Sequence, residues 1–187
     1  KTYRPIAMLP AISRVVERII REQLQQHAAY AGLLPEYQHG FRDAHSAETA
    51  IADIVAEIAD ARDEQGGRTV LVASLDCQGA FDTVDHEVLA ERLEAQHGLR
   101  GGALQLMQNY LTGRRQRTKL TSGTSKWGEI CSGVPQGSVL GPLLFSLYTA
   151  DIAEHIQDAS IVQSEVDTIT ADSDWCLGGI VHPTRAP

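Results

Sequence analysis

Cysteine is scarce in this chain. Its 187 residues hold three, Cys77, Cys131 and Cys176, odd in number and far apart. No disulfide framework follows from that set, and no Cys-x-x-Cys or His-x-x-x-His spacing offers a structural zinc site. A reducing compartment is the simpler setting. Long apolar runs are missing too: no stretch reaches the roughly 18 residues a membrane span needs. An initiator Met and a signal-peptide pattern are absent from Lys1-Thr-Tyr-Arg-Pro-Ile6, so the sequence is expected to be the middle of a longer chain. Positive charge is in deficit, with 16 Lys and Arg against 24 Asp and Glu and a net charge of −8. Proteins that hold nucleic acid draw much of their affinity from cations on phosphate, so this balance argues against strong nucleic-acid binding by this chain alone. Only Arg114, Arg115, Arg117 and Lys119 form a basic run.

What is present describes a soluble globular protein. The hydrophobic share is 43% with a mean hydropathy of −0.17, outside the disordered range. The length can bury a core as one domain, or one domain plus a subdomain. Apolar residues at helical spacing, Ile12, Val15, Val16, Ile19, Ile20 and Leu24, predict a helix over about 10–30. Gly32 to His45 reads as loop. Ser46 offers an N-cap for a helix to about Glu64 with a stripe of Ala47, Ala50, Ile51, Ile54, Val55 and Ile58. Thr69 to Leu75 is a Val-rich run suited to a strand buried on both faces. Asp85 caps a helix to about Gln96, and a second helix follows over 102–111. Arg117–Ser122 and Lys126–Cys131 predict paired strands around a Gly123-Thr-Ser turn. Ser138 to His155 is apolar nearly all round and predicts a buried helix. Ala159–Thr170 predicts a short hairpin, and 171–187 an irregular tail.

Two segments carry chemistry. In Ser74-Leu-Asp-Cys-Gln-Gly-Ala-Phe-Asp-Thr-Val-Asp-His86, Asp76 ends the apolar strand and Phe81 follows five residues later. A carboxylate there suits magnesium, which takes one or two protein carboxylates plus substrate phosphates. Alone, Asp76 would read better as a strand-end residue that starts a turn or caps the next helix, and Phe81 alone would be core. In Gly133-Val-Pro-Gln-Gly-Ser-Val-Leu-Gly-Pro142, glycines permit close backbone approach to a ligand and the following helix start favours phosphate. Asp82 and Asp85 read as turn and cap residues.

Together these segments resemble the first two palm motifs of reverse transcriptases, most closely those of non-LTR, LINE-type retrotransposons. Tyr3-Arg-Pro-Ile-Ala-Met-Leu-Pro10 with Glu17-Arg-Ile-Ile20 resembles the family's opening finger motif, and Gln38-His-Gly-Phe-Arg42 followed by Ser46 the next. The resemblance covers about 3–170. It implies an α+β right-hand polymerase fold, with fingers in 1–65, palm in 66–170 and the thumb missing. It implies an RNA-directed DNA polymerase that uses RNA template, DNA primer, dNTP and two Mg2+ ions, in nucleus or cytoplasm and not in a membrane. By the same resemblance Asp76 binds metal, Phe81 excludes a ribose 2′-OH, and Gln136 and Gly137 contact the nucleotide. Arg4 suits the triphosphate, as a guanidinium fork fits phosphate oxygens. Arg42, Arg114, Arg115 and Arg117 are the nucleic-acid candidates, with a plain surface role or a solvated turn as the alternative.

The third palm motif of the family reads (Phe/Tyr)-Ala-Asp-Asp. Here the corresponding residues are Ser164-Glu-Val-Asp167, so Val166 stands where the first metal-binding Asp is expected. Asp167 remains as the second catalytic and metal candidate beside Asp76, with Glu165 as a substitute if the hairpin shifts. Two-metal phosphoryl transfer needs carboxylates that hold both ions, and Val ligates neither. The expectation is therefore a reverse transcriptase fragment with impaired synthesis. The alternative is a non-catalytic palm remnant with at most weak nucleic-acid binding. An unrelated magnesium phosphohydrolase centred on Asp76 would leave the glycine-rich segment unexplained.

Overall fold

The structure, a computed structural model, describes residues 6–64, 71–76, 79–152, 159–168 and 172–181. They form helices α1 (Ala11–Ala31), α2 (Ala47–Glu64), α3 (His86–Ala95), α4 (Gly101–Leu111) and α5 (Gly141–Tyr148), and strands β1 (Leu71–Asp76), β2 (Arg115–Gln116), β3 (Lys119–Leu120), β4 (Gly123–Thr124), β5 (Gly128–Glu129), β6 (Ala159–Thr168) and β7 (Asp172–Val181). The chain divides into two compact units, residues 1–33 with 79–148 and residues 34–78 with 149–187.

The first unit is helical. Its aliphatic core, Val84, Leu89, Leu93, Leu111, Leu140, Leu143, Leu144 and Leu147, is fully buried, with α3 packed on both α4 and α5. Asp85 caps α3 as its sequence predicts, accepting the Glu87 and Val88 N–H groups at 2.8 and 3.1 Å. Gly32 ends α1 in the left-handed region at φ 62°, which glycine adopts without a Cβ penalty. Arg92 joins α3 to α5 by donating to the Tyr148 carbonyl and lying over the Tyr148 ring. The His97 Nε2–H donates to the Leu147 carbonyl at 2.9 Å, and the His27 Nε2–H donates to the His97 carbonyl at 2.8 Å.

The apolar stripe expected to bury α1 does not do so. Leu24 and Ala28 are buried, but Ile12, Val15, Val16 and Ile19 are exposed, Ile12 at 77%. The inward face instead carries Glu17, 2% exposed, because its carboxylate satisfies main-chain donors in the same unit. The helix expected over 138–155 is shorter. The Ser138 hydroxyl accepts the Gly141 N–H at 2.9 Å, a local side-chain bond that competes with helix, so α5 starts at Gly141. Thr149–Ile152 then turns, and 153–158 lie outside the described residues.

The second unit places α2 against β6 and β7. Ser46 and Thr49 begin α2 reciprocally: the Ser46 Oγ accepts the Thr49 N–H at 3.3 Å and the Thr49 Oγ1 accepts the Ser46 N–H at 2.9 Å. Of the expected α2 stripe, Ala50 is buried while Ile51 and Val55 are exposed. The sheet is antiparallel in the order β1-β7-β6. The expected hairpin within 159–170 and irregular tail are both revised: Ala159–Thr168 is one strand and Asp172–Val181 its partner. Two adjacent glycines, Gly178 and Gly179, weaken β7 locally, but it lies between two strands and bonds on both edges. Tertiary pairing outweighs that weak local preference.

Candidate nucleotide and nucleic-acid site

In the first unit the glycine-rich turn is bolted to the turn containing Phe81. The Gly133 N–H donates to the Val84 carbonyl and the Val134 N–H to the Phe81 carbonyl, both at 2.7 Å. The Ser132 Oγ donates to the Asp82 carbonyl at 3.1 Å, and the buried His86 donates its Nε2–H to the Gly133 carbonyl at 2.8 Å. Glycine is required at 133. Its φ is 87°, and an added Cβ would sit 2.9 Å from both Asp82 Cα and the Phe81 carbonyl oxygen. The Phe81 ring is half-buried, tilted against Phe145 with centroids 5.5 Å apart. Its main chain is pinned while part of the ring faces outward. Gln136 accepts the Ala7 N–H at 2.9 Å through its carbonyl, and exposed Gly137 follows at φ 89°.

The other end of this turn rests on a residue to which the sequence reading assigned no role. The Glu17 carboxylate accepts the Val139 N–H at 2.7 Å and the Leu140 N–H at 3.3 Å. A buried carboxylate is costly unless bonded this way. Tyr110 belongs to the same neighbourhood: burial raises its pKa and the Glu17 charge adds to that, while Ser138 and Arg114 oppose it. The one signal in the sequence was its place in the Glu17-Arg-Ile-Ile20 segment.

In the second unit Asp76 ends β1, in register with Cys176 of β7, which in turn pairs with Ser164 of β6. In the same ladder Glu165 pairs with Trp175, Val166 with Asp174 and Asp167 with Ser173. Among the described residues no group of three or more His, Cys, Asp or Glu is gathered to hold a metal ion.

Comparison with known proteins places this geometry. Residues 1–170 match the family described as reverse transcriptase (RNA-dependent DNA polymerase). The chain belongs to the reverse transcriptase family. It is 37% identical over 176 residues to the probable RNA-directed DNA polymerase from transposon X-element of Drosophila melanogaster, covering 94% of this chain and 19% of that protein. It is 31% identical over 175 residues to the RNA-directed DNA polymerase from mobile element jockey of Drosophila funebris, covering 92% and 18%. The chain thus spans about a fifth of the length of these curated relatives. Among solved structures, the apo telomerase from Candida tropicalis matches with a TM-score of 0.56 at 13% identity, covering 86% of this chain and 34% of the telomerase. The shared fold is the α+β right-hand arrangement that the motifs imply.

The remaining candidates of this reverse transcriptase segment take varied places. Arg4 lies outside the described residues. Arg42 is half-buried, and its Nη1 donates to the Pro35 carbonyl at 2.7 Å, tying together the loop around Phe41, whose own φ is 54°. Neighbouring His39 is buried, with Nδ1 2.8 Å from Thr49 Oγ1 and Nε2 3.0 Å from Asp53 Oδ2. Arg114 lies over the Tyr110 ring, while Arg115 and Arg117 are exposed on strands and turns beyond it. No described helix is long and apolar enough to cross a membrane.

Proposed function

We propose that this chain is the fingers (1–65) and palm (66–170) of a retrotransposon RNA-directed DNA polymerase, in a copy whose synthetic chemistry is impaired. The parent reaction is attack of a primer 3′-OH on the α-phosphorus of a dNTP along an RNA template, with pyrophosphate leaving. In this reading Phe81 closes the sugar pocket, Gln136 and Gly137 border the incoming base pair, and Arg4 meets the triphosphate. The hydrogen bonds joining 132–134 to 81–84 support that assignment, because they hold the Phe81 and Gln136 segments as one piece without relying on the nucleotide.

The observation that carries the impairment is the residue at position 166. The family's chemistry needs divalent ions held by paired carboxylates, and Val166, which ligates none, stands where the resemblance expects the first Asp of the third palm motif. Asp76 and Asp167 are then the remaining candidate metal carboxylates, with Glu165 as a substitute if the hairpin shifts.

The test is magnesium-dependent dNTP incorporation on a primed RNA template by the chain and by its Val166→Asp variant. The expected result is no extension by the parent. Extension by the unmodified chain that Asp76→Ala abolishes would falsify the impairment. Synthesis by Val166→Asp alone locates the defect at that position. Silence in both variants favours the second reading, a palm remnant without chemistry.

A further inference from the structure

Residues 114–130 form an arm with an uneven ladder. The Ile130 N–H donates to the Arg114 carbonyl at 3.0 Å, Arg115 pairs with Glu129 and Gln116 with Gly128. Further out, Thr118 and Ser125 exchange bonds at 2.9 Å through the Ser125 N–H and Oγ, then Lys119 pairs with Thr124 and Leu120 with Gly123. The tip is therefore Thr121-Ser122 rather than the Gly123-Thr-Ser turn expected from sequence. From Gln116 to Lys119 is three steps, but from Thr124 to Gly128 is four. The extra residue falls at Lys126–Trp127 opposite Arg117, and a bulge of this kind re-aims the side chains beside it. There the Arg117 guanidinium lies over the Trp127 ring at 4.7 Å, and Trp127 remains 53% exposed.

The arm inverts the charge of the chain. It holds five of the 16 Lys and Arg (Arg114, Arg115, Arg117, Lys119 and Lys126) but only one of the 24 Asp and Glu, Glu129. Residues 115–129 are exposed throughout. An exposed indole held by an arginine among cations matches the chemistry of a stacking platform set in a phosphate-tracking groove. Protein interfaces deplete lysine in their cores, whereas phosphate demands such cations.

We propose that the 114–130 arm grips single-stranded nucleic acid, with one base stacked on Trp127 and phosphates met by Arg115, Arg117, Lys119 and Lys126. The proposal deepens the reverse transcriptase reading, on which it rests for the presence of a template. A single strand is the occupant because only an unpaired base presents a free face to the indole. A duplex offers phosphates alone.

The test is fluorescence anisotropy of the whole chain with labelled poly-U RNA, the matching poly-dT strand, a duplex and poly-glutamate, across a salt series. A Trp175→Phe background leaves Trp127 as the sole tryptophan, and its fluorescence should be quenched by either single strand. Trp127→Ala should weaken single-strand binding about tenfold with little change for the duplex, and Trp127→Phe, which keeps an aromatic face, should lose less. Arg117→Gln with Lys119→Gln should lower the single-strand salt slope by about 1.4, roughly 0.7 per phosphate contact. Strand binding that ignores all these variants overturns the arm and leaves the family reading intact. Poly-glutamate bound as well as RNA overturns it as well. A parent chain that binds no nucleic acid overturns the arm, whereas the reverse transcriptase reading stands or falls on the primer-extension test.

Discussion

The Glu17 carboxylate accepts the Val139 N–H at 2.7 Å across 122 residues of sequence. One oxygen on α1 thereby holds the outgoing end of the glycine-rich turn, and the Leu140 N–H shares it at 3.3 Å. Removing the acceptor leaves two main-chain donors without it, the Leu140 one buried and the Val139 one part-buried, at about 1–3 kcal/mol for each. Glu17→Ala should therefore destabilise the chain by about 2–4 kcal/mol in urea unfolding, and Glu17→Gln, which keeps an oxygen acceptor, by clearly less. Equal losses from the two substitutions would show that the bonds contribute nothing.

Gly133 and Gly137 both have positive φ, yet they should respond differently to alanine. At Gly133 a Cβ meets main chain at 2.9 Å, which cannot swing aside. At Gly137 the nearest atom is Ile6 Cγ2 at 3.4 Å, the end of a flexible side chain. Backbone strain alone costs about 1–3 kcal/mol. Gly137→Ala should fall within that range and Gly133→Ala above it. Thermal or chemical unfolding of the pair decides, and a Gly137→Ala loss equal to or larger than that of Gly133→Ala contradicts the packing described.

On α1, hydrophobic pattern and burial disagree, and truncation separates them. Leu24→Ala should cost about 2–5 kcal/mol as a core deletion, since Leu24 is buried. Ile12→Ala, at a position 77% exposed, should stay within about 0.5 kcal/mol. A loss at Ile12 as large as at Leu24 would place the helix the other way round.

His39 links stability to acid. Burial pushes its pKa below 6.5, with the Asp53 charge and hydrogen bond opposing that shift and His45 and Arg42 reinforcing it. The unfolded chain then binds a proton more readily than the folded one, so stability rises with pH across this window. His39 should contribute no penalty above about pH 6.5, and the penalty should grow as pH falls toward the lowered folded value. Asp53→Ala removes the opposing influence and should steepen the acid loss, whereas His39→Gln should flatten it. Unfolding midpoints measured across pH for the three proteins provide the check. A flatter curve for Asp53→Ala reverses the sign and defeats the assignment.

Much of this protein is legible from neighbours in sequence. Asp85 as a cap, the helices over 11–31 and 86–95, and the two palm motifs depend on residues within a few positions of one another, where capping and periodicity operate. Those local patterns alone determined the family and the location of the glycine turn. Tertiary structure decided the rest, because each outcome depends on a partner far along the chain. Glu17 is buried because the Val139 and Leu140 amides need an acceptor. The 172–181 segment is a strand because β1 and β6 bond both its edges. Strand register pairs Val166 with Asp174 and Asp167 with Ser173, a choice that local sequence does not contain, because a shift of one residue re-pairs the whole strand.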